Sequence, residues 1–181
     1  MTMISIVTNV FSWLTLLSDI FIVIFIFLFM GKKFSSTLKR NYDKLFNWLG
    51  KSGPVLSFIV SATATLGSLF YSEIAKYDPC KLCWFQRIFM YPQSIVTGIA
   101  LIKKDKSIKR YMLFLSIMGI LFSAYHYFIQ LFPQESTSCS ATGGISCSYA
   151  PFFHLGYITI PMMSFTAFFL LIIFYSAIKE N

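Results

Sequence analysis

Two cysteines separated by two residues stand in DPCKLCWFQR, residues 78–87, and a second pair, Cys139 and Cys147, stands in CSATGGISC. A close thiol pair does one of two things. It ligates a soft metal, or it trades a disulfide with another dithiol through an attacking thiolate. Structural metal sites take four ligands, and neither a second C-x-x-C nor a paired His accompanies this one. No metal is therefore expected. Exchange chemistry needs a setting that favours the thiolate. Asp78 suits a helix N-cap and Pro79 the first helical position. Cys80 and Cys83 are then expected in the first turns of a helix, on one face. The positive helix end and Lys81 both favour the thiolate. Arg87 follows Cys83 by four residues, on the same face and ~6 Å further along the axis.

The elements that must hold these groups are membrane helices. Of 181 residues, 56% are hydrophobic, 21 are Phe and only 12% are charged; the charged share is roughly half that of a soluble domain. Apolar runs at 10–30, 54–74, 84–102, 111–131 and 158–178 each approach the ~20 residues that span a bilayer. Lipid does not tolerate unpaired backbone, so the runs are expected as helices of an all-α integral membrane protein. No sustained repeat, low-complexity tract or soluble domain interrupts them. The first run has no basic stretch before it and no small-residue cleavage site after it. It reads as a retained span and not as a signal peptide.

Lys and Arg mark the cytoplasmic side of spans. Segments 31–53 and 103–110 are rich in both, whereas 132–157 has neither. The expected topology has the N-terminus outside, the C-terminus cytoplasmic and all four cysteines on the outer face, where disulfides persist. The net charge of +8 is then a topology signal that suits anionic membrane lipid. It gives little support for nucleic-acid binding. CKLC and CSATGGISC are natural close pairs, although four cysteines allow three pairings and the sequence does not choose. The second loop, rich in Ser, Thr and Gly, reads as an exposed, flexible segment that presents a disulfide to another protein, or as a staple. Arg87 either attracts a polar oxygen on a lipid-soluble ligand, stabilises charge on Cys83, or snorkels to the headgroups.

Cys80-Lys81-Leu82-Cys83-Trp84-Phe85-Gln86-Arg87, followed by Ile88 and Met90-Tyr91-Pro92, resembles the DsbB/BdbC family of membrane disulfide-forming oxidoreductases. Gly67 to Glu73, Tyr125-His126-Tyr127 with Gln130, and Gly156 to Pro161 are similar to its other span ends. The likeness covers roughly 54–178, and the short spacing of Cys139 and Cys147 looks like the Gram-positive branch. The resemblance implies a four-helix transmembrane bundle that binds a quinone, menaquinone or ubiquinone, near the outer face. It implies electrons passing from a DsbA/BdbD-like thioredoxin-fold thiol oxidase to Cys139 and Cys147, then to Cys80 and Cys83, then to quinone. By the same resemblance Cys139 forms the mixed disulfide with that partner, Cys147 exchanges with Cys80, and Cys83 faces the quinone. Arg87 then lies beside a ring oxygen, with His126, Gln86 and Gln130 as further quinone-site candidates.

Three regions are expected: an extra N-terminal helix at 1–31, a cytoplasmic basic amphipathic segment at 32–53, and the bundle at 54–178 with its external Cys loop at 132–157. The first two lie outside the likeness. Asp19 falls inside the extra span, where an ionisable group is either functional or a protonated or interface-reaching side chain. Leu38, Tyr42, Leu45 and Leu49 recur at helical spacing among Lys and Arg, as in a helix lying on the membrane surface. Ser57, Ser61, Ala64 and Ser68 are spaced for close helix packing. The competing reading is a non-enzymatic membrane immunity or assembly protein whose disulfides only staple loops.

Overall fold

A computed structural model describes residues 3–132 and 146–179. Its long helices are α1 (Met3–Gly31), α2 (Ser36–Leu69, continued by a π-helical turn, Phe70–Ile74), α3 (Lys81–Lys103), α4 (Lys109–Leu131) and α5 (Ile160–Ala177). Among the described residues no strand forms beyond a single bridge between His154 and Ile158. Four helices, α1, α2 with its turn, α4 and α5, are long and apolar enough to cross a membrane. Helix α3 matches α4 at 23 residues, roughly 35 Å, and carries Gln86, Arg87 and Gln93 among its apolar residues. The chain is an all-α membrane protein: a four-helix bundle with one further helix at its N-terminus.

Helix α5 is the centre of the bundle and packs on α1, α2 and α4. It is apolar all round, as a helix enclosed by others must be, and Phe168, Leu171 and Tyr175 on it are buried. Helices in lipid gain nothing from apolar burial alone, so small residues that permit close approach decide where they meet. Gly119 of α4 receives the Phe168 ring, and a Cβ at Gly50 of α2 would come 2.8 Å from the Ala177 carbonyl oxygen. Ser57 and Ser61 of the expected packing stripe are buried.

The basic stretch is helical, as its periodicity suggests, but it is not a separate element. Helix α2 runs unbroken from Ser36 with Pro54 inside it, where the sequence reading began a new span. Proline removes one ladder hydrogen bond, and the close Gly50 and Gly53 contacts with α5 hold the turn just before it.

Helix direction sorts the two ends. The start of α1, end of α2, start of α3, end of α4 and start of α5 all contribute to one cavity, through Phe11, Ser68, Cys83, His126 and Pro161. The α1 to α2 connection, with Lys32 and Lys33, and the α3 to α4 connection, with Lys104 and Lys106, therefore lie at the opposite end, while the α2 to α3 connection at the cavity end holds Lys76.

Candidate redox site

The π turn ends α2 with one residue more per turn, a device frequent at functional sites. Lys76 then takes a left-handed backbone, φ 57°, and residues 75–80 cross to α3. Helix α3 starts two residues later than the Asp78 cap suggests: Cys80 is itself the N-cap and Lys81 the first helical residue. The Cys80 backbone is extended and its carbonyl accepts from the Trp84 N–H, 3.2 Å. Cys80 thus stands on the bundle side of the helix start, buried, while Cys83 one turn later is half-buried.

Cys80 and Cys83 carry free thiols, with sulfurs 3.3 Å apart. His126 of α4 completes the cluster, its Nε2 3.6 Å from Cys80 Sγ. Gln86 lies one turn below Cys83 and its amide nitrogen is 2.9 Å from His126 Nδ1. An amide nitrogen only donates, so Nδ1 accepts and the imidazole proton sits on Nε2. That proton faces Cys80 Sγ and the Cys147 carbonyl oxygen, 3.2 Å away. The Cys83 thiol first, and His126 second, hold the Cys80 thiol well below its ordinary range by hydrogen bonding to the charged form. The sequence reading had Arg87 as one possible stabiliser of charge on Cys83; the His126 contact instead falls on Cys80. The three donor atoms lie within 4.8 Å of one another, a cluster that also suits a soft cation.

Cys147 is disulfide-bonded, while Cys139 lies outside the described residues. Cys147 differs from the exposed cysteine that a loop rich in Ser and Gly suggests: it is 1% exposed and packs with Cys80, Leu82 and Ile129. Two hydrogen bonds from α4 draw the chain in, His126 to the Cys147 carbonyl and Gln130 to the Tyr149 carbonyl.

Arg87 does not snorkel alone. Its Nε donates to Ser68 Oγ, 3.1 Å, and its Nη2 to the Ser68 carbonyl, 3.3 Å. Its guanidinium also stands 5.2 Å from the Trp84 ring centre, within cation–π range. Tyr91 donates to the same Ser68 hydroxyl. Ser68 as the partner of Arg87, and Tyr91 as a second donor to Ser68, were missed from sequence. The signal was Ser68 at the end of the stripe Ser57, Ser61, Ala64, Ser68, read only as a packing face.

These groups face one cavity of about 470 Å³. Cys80, Cys83, Gln86, Arg87, His126 and Gln130 all line it, and the rest of its wall is largely aliphatic and aromatic. Gln130 Oε1 is buried with no hydrogen-bond partner among the described residues. A largely apolar chamber with Arg87 and Lys76 as cations, the Asp78 carboxylate and the unused Gln130 acceptor beside a thiolate suits a flat, oxygen-bearing apolar molecule. A quinone fits that donor set.

Helices around a dithiol and an apolar cavity define a class, membrane thiol oxidoreductases. The chain belongs to the DsbB family: residues 51–178 match the family described as Disulfide bond formation protein DsbB. Disulfide bond formation protein C of Bacillus subtilis (strain 168) is 42% identical over 123 residues, 68% of this chain and 89% of that protein. The SPbeta prophage-derived disulfide bond formation protein B of the same organism is 46% identical over 118 residues, 65% of this chain and 79% of that protein. A Probable disulfide formation protein C of Halalkalibacterium halodurans is 41% identical over 117 residues, 65% of this chain and 85% of that protein. No solved structure matches the chain. It is a multi-pass membrane protein of disulfide bond formation.

Proposed function

We propose that the chain is a protein dithiol:quinone oxidoreductase that reoxidises an extracytoplasmic DsbA/BdbD-like thioredoxin-fold thiol oxidase. The observation that carries this reading is that Cys80, Cys83, Arg87 and His126 share one apolar cavity. In the first exchange the partner's dithiol attacks a Cys139–Cys147 disulfide; the partner leaves oxidised and the loop pair keeps two electrons and two protons. In the second the loop dithiol reduces a Cys80–Cys83 disulfide, and the burial of Cys147 beside Cys80 supports that step. A bound menaquinone or ubiquinone supplies the two-electron, two-proton sink for the Cys80–Cys83 dithiol. Arg87 holds positive charge where a ring oxygen gains electrons, a preorganised electrostatic role. His126 steadies the Cys80 thiolate and carries a proton at Nε2. The cysteine end faces outward and the α1–α2 and α3–α4 connections face the cytoplasm, in keeping with the concentration of Lys and Arg in 31–53 and 103–110.

The test uses purified protein, a reduced thioredoxin-fold oxidase and a short-chain quinone, with quinone reduction followed by absorbance. One quinone is expected to be consumed per partner disulfide formed, and none with Cys83→Ser. An inert mixture would instead favour the immunity or assembly protein with structural disulfides.

A further inference from the structure

The relay uses nothing on α1, and α1 lies wholly outside the matched residues 51–178. Its inward face is nonetheless built with care. Thr8, Ser12, Thr15 and Ile22 are its buried residues, and with Asp19 they recur at alternating spacings of four and three, one stripe of a helix. A helix with lipid on one side and protein on the other is seated by directed hydrogen bonds and close packing. Tyr71 Oη donates to Thr8 Oγ1, 3.4 Å, and His154 Nε2 meets Asn9 Oδ1, 2.6 Å. Asp19 accepts from Thr166 Oγ1, 2.6 Å, and from Tyr157 Oη, 3.0 Å. These bonds reach the π turn, the segment before α5, and α5 itself. The Phe11 ring lies over Gly67, where a Cβ would come 2.9 Å from Cζ.

That seat lies across α2 and α5, which give the cavity Ala64 and Ser68 on one side and Ser164 and Ala167 on the other. Phe11, Leu14, Thr15 and Ser18 of α1 complete the lining. Leu14 lines the cavity and is also 48% exposed, so it stands where the cavity meets the bilayer.

We propose that α1 is the wall that closes the quinone cavity toward lipid on its α2–α5 side, and that Phe11, Leu14, Thr15 and Ser18 select a prenylated quinone whose tail leaves past Leu14. This rests on the quinone reading above. Asp19 is then a positioning residue, the bolt that holds the wall through Thr166 and Tyr157.

A prenylated azidoquinone, photolysed with the intact protein and mapped by peptide mass spectrometry, tests the wall without any substitution. Label on residues 11–18 as well as on α2 or α3 is the expected result. Label confined to α2–α5 overturns the wall and leaves the quinone reading standing. No label anywhere overturns both. Equilibrium titration gives a second readout. Thr15→Leu and Ser18→Leu are expected to raise the Kd for the prenylated quinone about tenfold, the scale of a methylene-sized misfit in a pocket. Leu17→Ala, on the lipid side at 61% exposure, should leave it unchanged. Equal Kd values for all four proteins overturn the wall; should a leucine variant fail to fold, the labelling of the unaltered protein decides.

Discussion

At the end of the bundle that holds the α1–α2 and α3–α4 connections, Gly50 and Gly53 bring α2 against the backbone of α5 at Ala177 and Phe174. Leu49 and Ala177 there are sealed from solvent. At the cysteine end the same two helices share a cavity of about 470 Å³. The difference is chemical. Where side chains are absent, helices close up and gain dispersion contacts. Where Ser68, Arg87, Tyr91, Gln86 and His126 occupy the interior, they satisfy one another and hold the helices apart. A polar network of that kind keeps space open while pairing most of its own groups, Gln130 Oε1 excepted, so one end anchors the bundle and the other holds the cavity.

The sharpest break between the ends comes from the cysteines. Cys147→Ser is expected to abolish oxidation of the protein partner and leave bundle stability nearly intact. The Cys80–Cys83 pair should still react with added quinone. Partner oxidation at the normal rate in this variant would make the loop pair a staple.

Arg87 comes next. Its loss removes a charge-assisted contact worth ~1.5–3 kcal/mol, or about 10- to 150-fold in affinity. Arg87→Ala should therefore weaken apparent quinone affinity by that order, and Arg87→Lys less, since lysine keeps the charge and loses the planar fork. Both should still exchange disulfides with the partner. Superimposable curves of quinone reduction against quinone concentration for all three proteins would move the quinone site elsewhere in the cavity, first toward His126 and Gln130.

At the anchoring end the substitution to make is Gly50→Ala. A Cβ there meets the Ala177 carbonyl at 2.8 Å, and backbone does not move aside cheaply. Overpacking of this kind costs ~1–3 kcal/mol. Thermal unfolding should shift down while the reactivity of the Cys80–Cys83 thiols stays the same. A parallel loss of thiol reactivity would show that the two ends are not independent.

The same contrast explains what the sequence made legible. Spans announce themselves through composition, and C-x-x-C with Gln86 and Arg87 through local spacing, so the helices and the polar cluster of the cavity were foreseeable, while most of the rest of its lining was not. Other features depend on partners distant in the chain. The start of α3 at Lys81, and not at Pro79, follows the crossing from the π turn, which no local cap reports. The burial of Cys147 depends on His126 and Gln130 reaching its segment from α4. The continuity of α2 through Pro54 depends on α5 lying against Gly50 and Gly53. The stripe Thr8, Ser12, Thr15, Asp19 was readable as a packing face, but Asp19 alone drew attention because charge stands out where small polar residues do not.

The smallest effect sharpens the cysteine end itself. His126 is the second contributor to the lowered Cys80 pKa, after the Cys83 thiol. An ordinary thiol, pKa ~8.5, loses reactivity about tenfold per pH unit below that value. A lowered pKa moves the loss to lower pH, so the thiolate persists as pH falls from 8 to 6. In the reduced protein, alkylation of Cys80 by a neutral reagent should stay nearly flat across that window. His126→Ala removes the Nε2 proton that faces the sulfur and leaves the Cys83 contact in place. The profile should move toward higher pH, with a few-fold slower alkylation at pH 6 and little change at pH 8. His126→Gln can return a donor to the same sulfur and should recover part of the difference. A variant profile that overlays the parent would leave Cys83 as the sole stabiliser of the Cys80 thiolate. It would reduce His126 to a packing residue whose work is to hold the Cys147 carbonyl and Gln86 in place.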